Sequence, residues 1–453
     1  MAILTKEEAK KIIDKVLAYS KADETSASLT GGRTGNIRYA RNSVSTSGES
    51  DNIALSVTAV FGKKSGTATI NEFDDASLEK TVRRAEEIAK LAPENPEYMP
   101  MLGPQTYLET KNYAESTAKI NPEFRAQAAF DSIDPCKQKN LTAAGYMEDT
   151  TNFVCIGNSK GNFGYNRSTN VDFSITVRTA DGLGSGYANP DVTDVSKLDT
   201  KATTQIAMQK AMASASARAL EPGKYTVILE PTASVELLNN MMRSMDARNA
   251  DEGRSFLSKK GGGTRLGEKL FDERVTIITD PLNADLPLSP FGGGGGGGGG
   301  GRFGGGGNEG LPQEKRTWIE NGVVKNMFYS RFWADKKGVK PIPAPGGFIM
   351  LGGTQSLADL IKSTDKGILV TRFWYIRAVD PQTQLYTGLT RDGTFYIENG
   401  QIKFPIKNFR FNESPVIMLN NVEALGKPVR AGGNLIPPMK IRDFTFTSLS
   451  DAV

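Results

Sequence analysis

The chemistry open to this sequence is bounded by a side chain it lacks: its 453 residues contain no histidine. That excludes His-dependent Ser and Cys nucleophile mechanisms, His-ligated zinc and imidazole acid–base catalysis. Carboxylates, Lys, Tyr, Ser and Thr remain. The acidic pairs Asp74/Asp75, Asp251/Glu252 and Asp272/Glu273 are the natural candidates for paired acid–base work. Each pair is adjacent in sequence, however, and neighbouring side chains point apart on most backbones. They read as solvated or capping groups, and Asp75 sits where a helix dipole favours a carboxylate. Cys136 and Cys155 are too few for a disulfide scaffold or a four-thiolate metal site. With no imidazole to activate them, they read as inert buried thiols. Arg391-Asp392-Gly393 precedes a strand and reads as turn chemistry, with peptide binding by Arg391 and Asp392 as the alternative.

These residues must be positioned by a chain long enough for two lobes. Hydrophobic residues at 38% and charged residues at 23% fit a folded protein. Fifty-five basic against fifty-one acidic residues give a net charge of only +4, and no basic face accompanies it, so no nucleic-acid partner is indicated. No stretch approaches the roughly 20 apolar residues of a membrane span, and residues 1–21 are charged and helical in pattern. A reduced, cytoplasmic setting is the expectation.

Thr5-Lys6-Glu7-Glu8 predicts a capping box, followed by Ala9, Ile12, Ile13, Val16 and Leu17 at helical spacing. Strands are expected at 26–29, 36–46, 53–61 and 65–70, then a helix after Asp74-Asp75 and a Pro-rich break near 92–104. The middle region predicts a short helix at 122–131, strands at 141–148, 153–156, 163–167 and 171–180, and a long helix over 195–220. The small residues at 207–219 call for close packing of that helix on a sheet. A strand at 225–229 and a helix at 234–246 follow, the latter with Val235, Leu238, Met242 and Met245 on one face. From Val275 strands dominate. Glu320-Asn321-Gly322-Val323 and Glu398-Asn399-Gly400-Gln401 predict two-residue hairpins, because Asn-Gly tolerates positive φ at both turn positions. The aromatics Phe328-Tyr329, Phe332-Trp333 and Phe373-Trp374-Tyr375 read as core, with a peptide groove as the alternative. Ten glycines run from Gly292 to Gly301, and the Gly-rich stretch 292–307 reads as a flexible loop rather than a phosphate cradle.

Several separated segments resemble the TldD/PmbA family of peptidase-related proteins. Cys155-Ile156-Gly157-Asn158-Ser159-Lys160-Gly161 is similar to its "NS.G" turn. Asn308-Glu309-Gly310-Leu311-Pro312 followed by Trp318-Ile319-Glu320-Asn321-Gly322-Val323-Val324-Lys325 resembles its "DEG.P…IENG.LKG" block, and residues 390–400 its second hairpin. The resemblance spans essentially the whole chain. It implies an α+β protein: an N-terminal α/β domain with helices packed on a sheet (1–220, with a subdivision near 92–120), then a larger β-rich domain (221–453).

In the family, a catalytic subunit carries HExxxH on a helix and holds zinc with a later cysteine, acting on unfolded peptides. Imidazoles and thiolate bind the metal, and the Glu serves as base for its water. Counted from Pro231, Asn239-Asn240-Met241-Met242-Arg243-Ser244 stands at those positions, and 426–438 has no cysteine. Asn239 and Ser244 replace the histidines and Asn240 the glutamate; amide and hydroxyl oxygens are feeble zinc ligands, and Asn240 cannot take a proton. The resemblance therefore implies the PmbA type, without metal cofactor, working beside a TldD-like catalytic subunit or a second copy of itself. The alternatives are a hydrolase that needs no histidine or whose histidines are absent from this sequence, and a peptide-binding scaffold.

Overall fold

The computed structural model of the protein describes residues 3–292 and 310–450. From Gly293 onward the Gly-rich loop expected at 292–307, together with Asn308 and Glu309, lies outside the described residues. The opening helix, Lys6–Tyr19, has the expected capping box: the Thr5 hydroxyl accepts from the Glu8 amide at 3.2 Å, and the Glu8 carboxylate accepts from the Thr5 amide at 2.8 Å.

The first 200 residues build one antiparallel seven-stranded sheet. Along its path lie Lys64–Ile70, Ser43–Phe61, Glu24–Ala40, Leu141–Asn158, Phe163–Thr179 and Ser185–Ala188, and Asp191–Val192 also pairs with Phe163–Thr179. In register across three strands stand Leu55, Leu29 and Cys155, and likewise Ile37, Met147 and Phe173. All are odd-numbered, and strand side chains alternate between faces, so they share one face. The helices Lys6–Tyr19, Asp75–Leu91, Pro122–Gln138 and Thr200–Ala213 cover it, through Ile13, Val82, Ala129 and Met208 among others. The even-numbered face is mostly polar, with Val154 and Ile156 among its apolar exceptions.

Several expectations need correcting here. The run 36–46 is not one strand but crosses a tight hairpin, Ala40 pairing with Ser43 while Arg41 and Asn42 adopt φ of 50° and 58°. The strands expected at 141–148 and 153–156 are one strand of 18 residues, and those expected at 163–167 and 171–180 are one strand of 17. The charged middle of the former is tolerated because Asp149 accepts from the buried Arg125 guanidinium at 2.5 Å, and Arg125 also reaches Glu49 at 2.8 Å. The helix expected over 195–220 is a short 3-10 turn, Val195–Lys197, then Thr200–Ala213. Its last turn gives way because Ser214 exchanges hydrogen bonds with the Ser185 backbone and Arg218 pairs with Pro405 and Lys407 instead.

The later residues form a ring of five strands: Lys366–Asp380, Gly223–Leu229, Met439–Leu449, Phe409–Glu413 and Leu385–Glu398, which pairs back with Lys366–Asp380. Phe373, Phe411 and Phe444 pack together, with ring centroids 4.3 and 5.4 Å from Phe373. A second sheet holds Arg316–Glu320, Val323–Val324, Ile277–Thr279, Ile349–Met350, Val429–Ala431 and Asn434–Ile436. Both Asn-Gly hairpins form as expected, with positive φ at Asn321, Gly322, Asn399 and Gly400.

The small-residue helix does lie close on its sheet. A Cβ on Gly186 would come within 2.1 Å of the Ala207 carbonyl. Gly186→Ala should therefore lower unfolding free energy by about 1–3 kcal/mol in urea titrations. Gly48→Ala, whose Cβ would meet nothing within 4 Å, is the neutral control.

Candidate functional site

The strand Gly223–Leu229 runs directly into the helix Pro231–Arg243, three residues ahead of the expected start, with Pro231 in the first turn where its missing N–H costs nothing. Glu230 occupies the N-cap without capping the helix through its side chain. Its carboxylate instead takes the Lys210 ammonium at 2.7 Å and the Thr371 hydroxyl at 3.3 Å. Leu237, Leu238, Met241 and Met242 are buried; the methionines serve as core.

Asn239 and Asn240 are half-buried near the helix end, and Ser244 is the C-cap, outside the helix. The Asn239 side-chain oxygen accepts from the Asn434 amide group at 3.1 Å. Asn434, buried, also donates to the Gly432 carbonyl at 2.9 Å and accepts from the Phe348 N–H at 3.0 Å. The Ser244 hydroxyl turns back onto the Asn240 carbonyl at 3.0 Å. The stretch 426–438 thus lies against this helix, but an amide–amide bond joins them. Among the described residues no group of three His, Cys, Asp or Glu side chains is placed to hold a metal ion. Neutral Asn and Ser oxygens, already engaged in hydrogen bonds, do not fit zinc.

The hairpin carrying Asn434 also carries Arg430, which reaches the even face of the first sheet. Its guanidinium contacts Asp191 at 2.6 Å, Thr193 at 2.8 Å and Asn170 at 3.0 Å. Asp191 belongs to a row of carboxylates on adjacent strands: Glu148 faces Asp172, and Asp172 faces Asp191. Like charges directly opposite destabilise a sheet. Tyr146 donates to Glu148 at 2.5 Å and Asn170 to Asp172 at 2.8 Å. Burial, then the charges of Asp191 and Glu148, still push the Asp172 carboxyl up to about 6, against the opposing pull of Arg430. Arg430, Asp172 and Asn434 carry no motif, so the sequence offered no signal for them.

Arg391-Asp392-Gly393 is not a turn before a strand. It lies inside Leu385–Glu398 as a bulge, with φ of 58° at Asp392 and 112° at Gly393, where the register with Lys366–Asp380 shifts. Asp392 is 2% exposed; it accepts from Arg372 at 3.0 Å and from the Ser185 hydroxyl at 2.6 Å. Arg391 lies over Trp374, and Arg372 sits between the Tyr187 and Trp374 rings. Of the three aromatics there only Phe373 is buried; Trp374 and Tyr375 are exposed. Of the acidic pairs, Asp74 caps its helix as expected, Asp75 pairs with Lys15 and Glu252 with Arg248. Asp251 and Asp272 are not solvated as expected: Asp251 accepts from the Trp333 indole N–H at 2.8 Å and pairs with Lys337, and Asp272 pairs with Arg274. Burial pushes the Cys136 and Cys155 thiols up to about 11 and about 12, so both stay protonated and inert.

Residues 26–89, 114–215 and 222–448 match, in turn, domain 1, the central domain and the C-terminal domain of the PmbA/TldA metallopeptidases. The chain belongs to the PmbA/TldD metallopeptidase family. It is 22% identical to metalloprotease PmbA of Escherichia coli O157:H7, over 94% of this chain and 93% of that one. An uncharacterised protein of Methanocaldococcus jannaschii is 24% identical, over 82% and 86%. The crystal structure of TldE from Thermococcus kodakarensis shares the fold, with a TM-score of 0.84 at 16% identity, over 97% and 99%. No helix among the described residues is long and apolar enough to cross a membrane.

The carboxylate row sets a pH dependence. A carboxyl whose folded pKa is raised stabilises the fold fully below its unfolded pKa of about 3.9, and that contribution is lost as pH rises through about 6. Asp172→Asn should raise the melting temperature at pH 7 relative to the parent. The difference should shrink as pH falls from 6 towards 4 in paired thermal melts.

Proposed function

We propose that this chain is the metal-free subunit of a PmbA/TldD-type peptidase, assisting proteolysis of unfolded peptides by a TldD-like catalytic homologue. One observation carries the reading. At the position counted for the family's zinc helix, Asn239 is bonded to Asn434 and Ser244 to the Asn240 carbonyl, so those positions offer neither imidazole donors nor, at Asn240, a carboxylate base. The similarity to proteins named metalloprotease PmbA and TldE supports placing it in such a system. In this role the chain contributes surface and enclosure for the peptide rather than bond cleavage, and it takes no metal cofactor. A reduced, cytoplasmic setting accords with two buried free thiols.

The test is elemental analysis with a peptidase assay. The purified chain should carry well under one zinc per chain after dialysis against the metal and should leave unfolded peptide intact alone. Cleavage should appear only when a catalytic homologue is added. Stoichiometric zinc, or peptide cleavage by this chain alone, would refute the reading.

A further inference from the structure

The strand Lys366–Asp380 breaks its alternation at one residue. Phe373 and Ile376 both belong to the core, while Trp374 and Tyr375 between them are 40% and 60% exposed. A regular strand would bury one of those two, since neighbours face opposite sides. Tyr375 is instead the extra residue of a bulge: three steps from Trp374 to Arg377 face two on the partner strand, from Leu389 to Thr387, and its φ is 57°. An aromatic residue held at positive φ is strained, and such strain gathers at binding sites. Two large rings are thereby left side by side in water.

Guanidinium groups line the same place. Arg377 lies over the Tyr375 ring at 4.2 Å, and Arg372 between the Tyr187 and Trp374 rings at 3.9 and 4.4 Å. A ring against its flat face holds a guanidinium in plane while the N–H edge stays open to a carboxylate. Asp392 already takes part of the Arg372 edge. Arg377 is exposed; it donates to the neighbouring Ile376 carbonyl at 3.0 Å and has no ion pair among the described residues.

Glu236 marks where these charges converge. It stands one helical turn beyond Thr232, whose hydroxyl donates to the Thr371 carbonyl at 2.6 Å, and one turn before Asn240, so its helix face is turned towards the strand. Its side chain is exposed and joins no hydrogen bond or ion pair among the described residues. Desolvation by the surrounding protein nevertheless raises its carboxyl, against the pull of Arg377, Arg243 and Arg372 in that order. A carboxyl group both reached by water and crowded by protein lines a recess.

We propose that, within the peptide-assisting role on which this rests, the recess binds a carboxylate of the peptide, with Arg377 as its cation and Trp374 and Tyr375 as the bed for the adjoining residue. Arg243, Arg372 and Arg377 against Asp392 and Glu236 leave one positive charge over, which favours an anion above an amine. Glu236 feels the same field without closing on it, so an incoming carboxylate has no ion pair to break there.

Fluorescence anisotropy with labelled unfolded peptides tests this on the full chain, with neither metal nor homologue added. One peptide carries an Asp-Glu pair and a second Asn-Gln in its place, each with a free or an amidated C-terminus. The parent should bind the acidic peptide about tenfold more tightly than the neutral amidated one, and the four forms assign the effect to side chains or terminus. Arg377→Gln should abolish the preference. Glu236→Gln, which removes the competing carboxylate, should tighten acidic-peptide binding about threefold. Both positions are exposed, and thermal melts matching the parent verify the fold of each variant. Peptides bound without regard to carboxylates, a preference that survives Arg377→Gln, or no tightening in Glu236→Gln would overturn the proposal and leave the metal-free reading intact. A parent that binds none of the peptides would overturn the peptide-assisting role with it.

Discussion

Buried carboxylates that must meet their cations organise this molecule. Asp191, Asp392 and Glu230 are at most 9% exposed. Asp191 takes Arg430 and Glu230 takes Lys210, and these two ion pairs join the first sheet or its covering helix to the later β-rich region; Asp392 takes Arg372 within that region and reaches the first sheet through the Ser185 hydroxyl. A desolvated charge is tolerated only when its partner is in place, and removing one partner typically costs about 3–5 kcal/mol. These pairs therefore specify how the halves meet more than they add net stability. They also fix the hairpin 429–436, since Arg430 and Asn434 sit on it together. The same hairpin that grips the first sheet thereby presents Asn434 to the helix Pro231–Arg243.

That geometry ties the helix Pro231–Arg243 to the hairpin through neutral groups. In a zinc site, charged ligand bonds would tie a helix to a later segment. Here a neutral amide pair joins the helix to the later segment, supported by the Phe348 N–H and the Gly432 carbonyl. The apolar side, with Leu237, Leu238, Met241 and Met242 packed into the main core, holds the helix regardless of what its polar end binds.

Much of this was legible in the sequence, because local chemistry and final structure agree there. The Thr5–Glu8 box, the Asp74 cap and both Asn-Gly hairpins follow from residues a few positions apart. The tight hairpin at Arg41-Asn42 escaped notice because Arg carries no preference for positive φ. The helix expected to reach residue 220 was misjudged because residues 214–220 have good helical propensity, which Ser185, Pro405 and Lys407 override from afar. At the site, Asn239, Asn240 and Ser244 were singled out by the count from Pro231, whereas Asn434, Arg430 and Asp172 offered no such signal. They owe their place to strand register and to partners hundreds of residues away.

The five-stranded ring has a bearing on how the chain is made. Its strand Met439–Leu449 lies between Gly223–Leu229 and Phe409–Glu413, and contributes Phe444 and Phe446 to the aromatic packing. During vectorial synthesis the first sheet can settle early, since its strands are all complete by residue 192. The ring cannot seal until its last stave has left the ribosome. For more than two hundred residues of translation, its growing strands and phenylalanines stay unsealed, which makes that interval the one most in need of a chaperone's shelter.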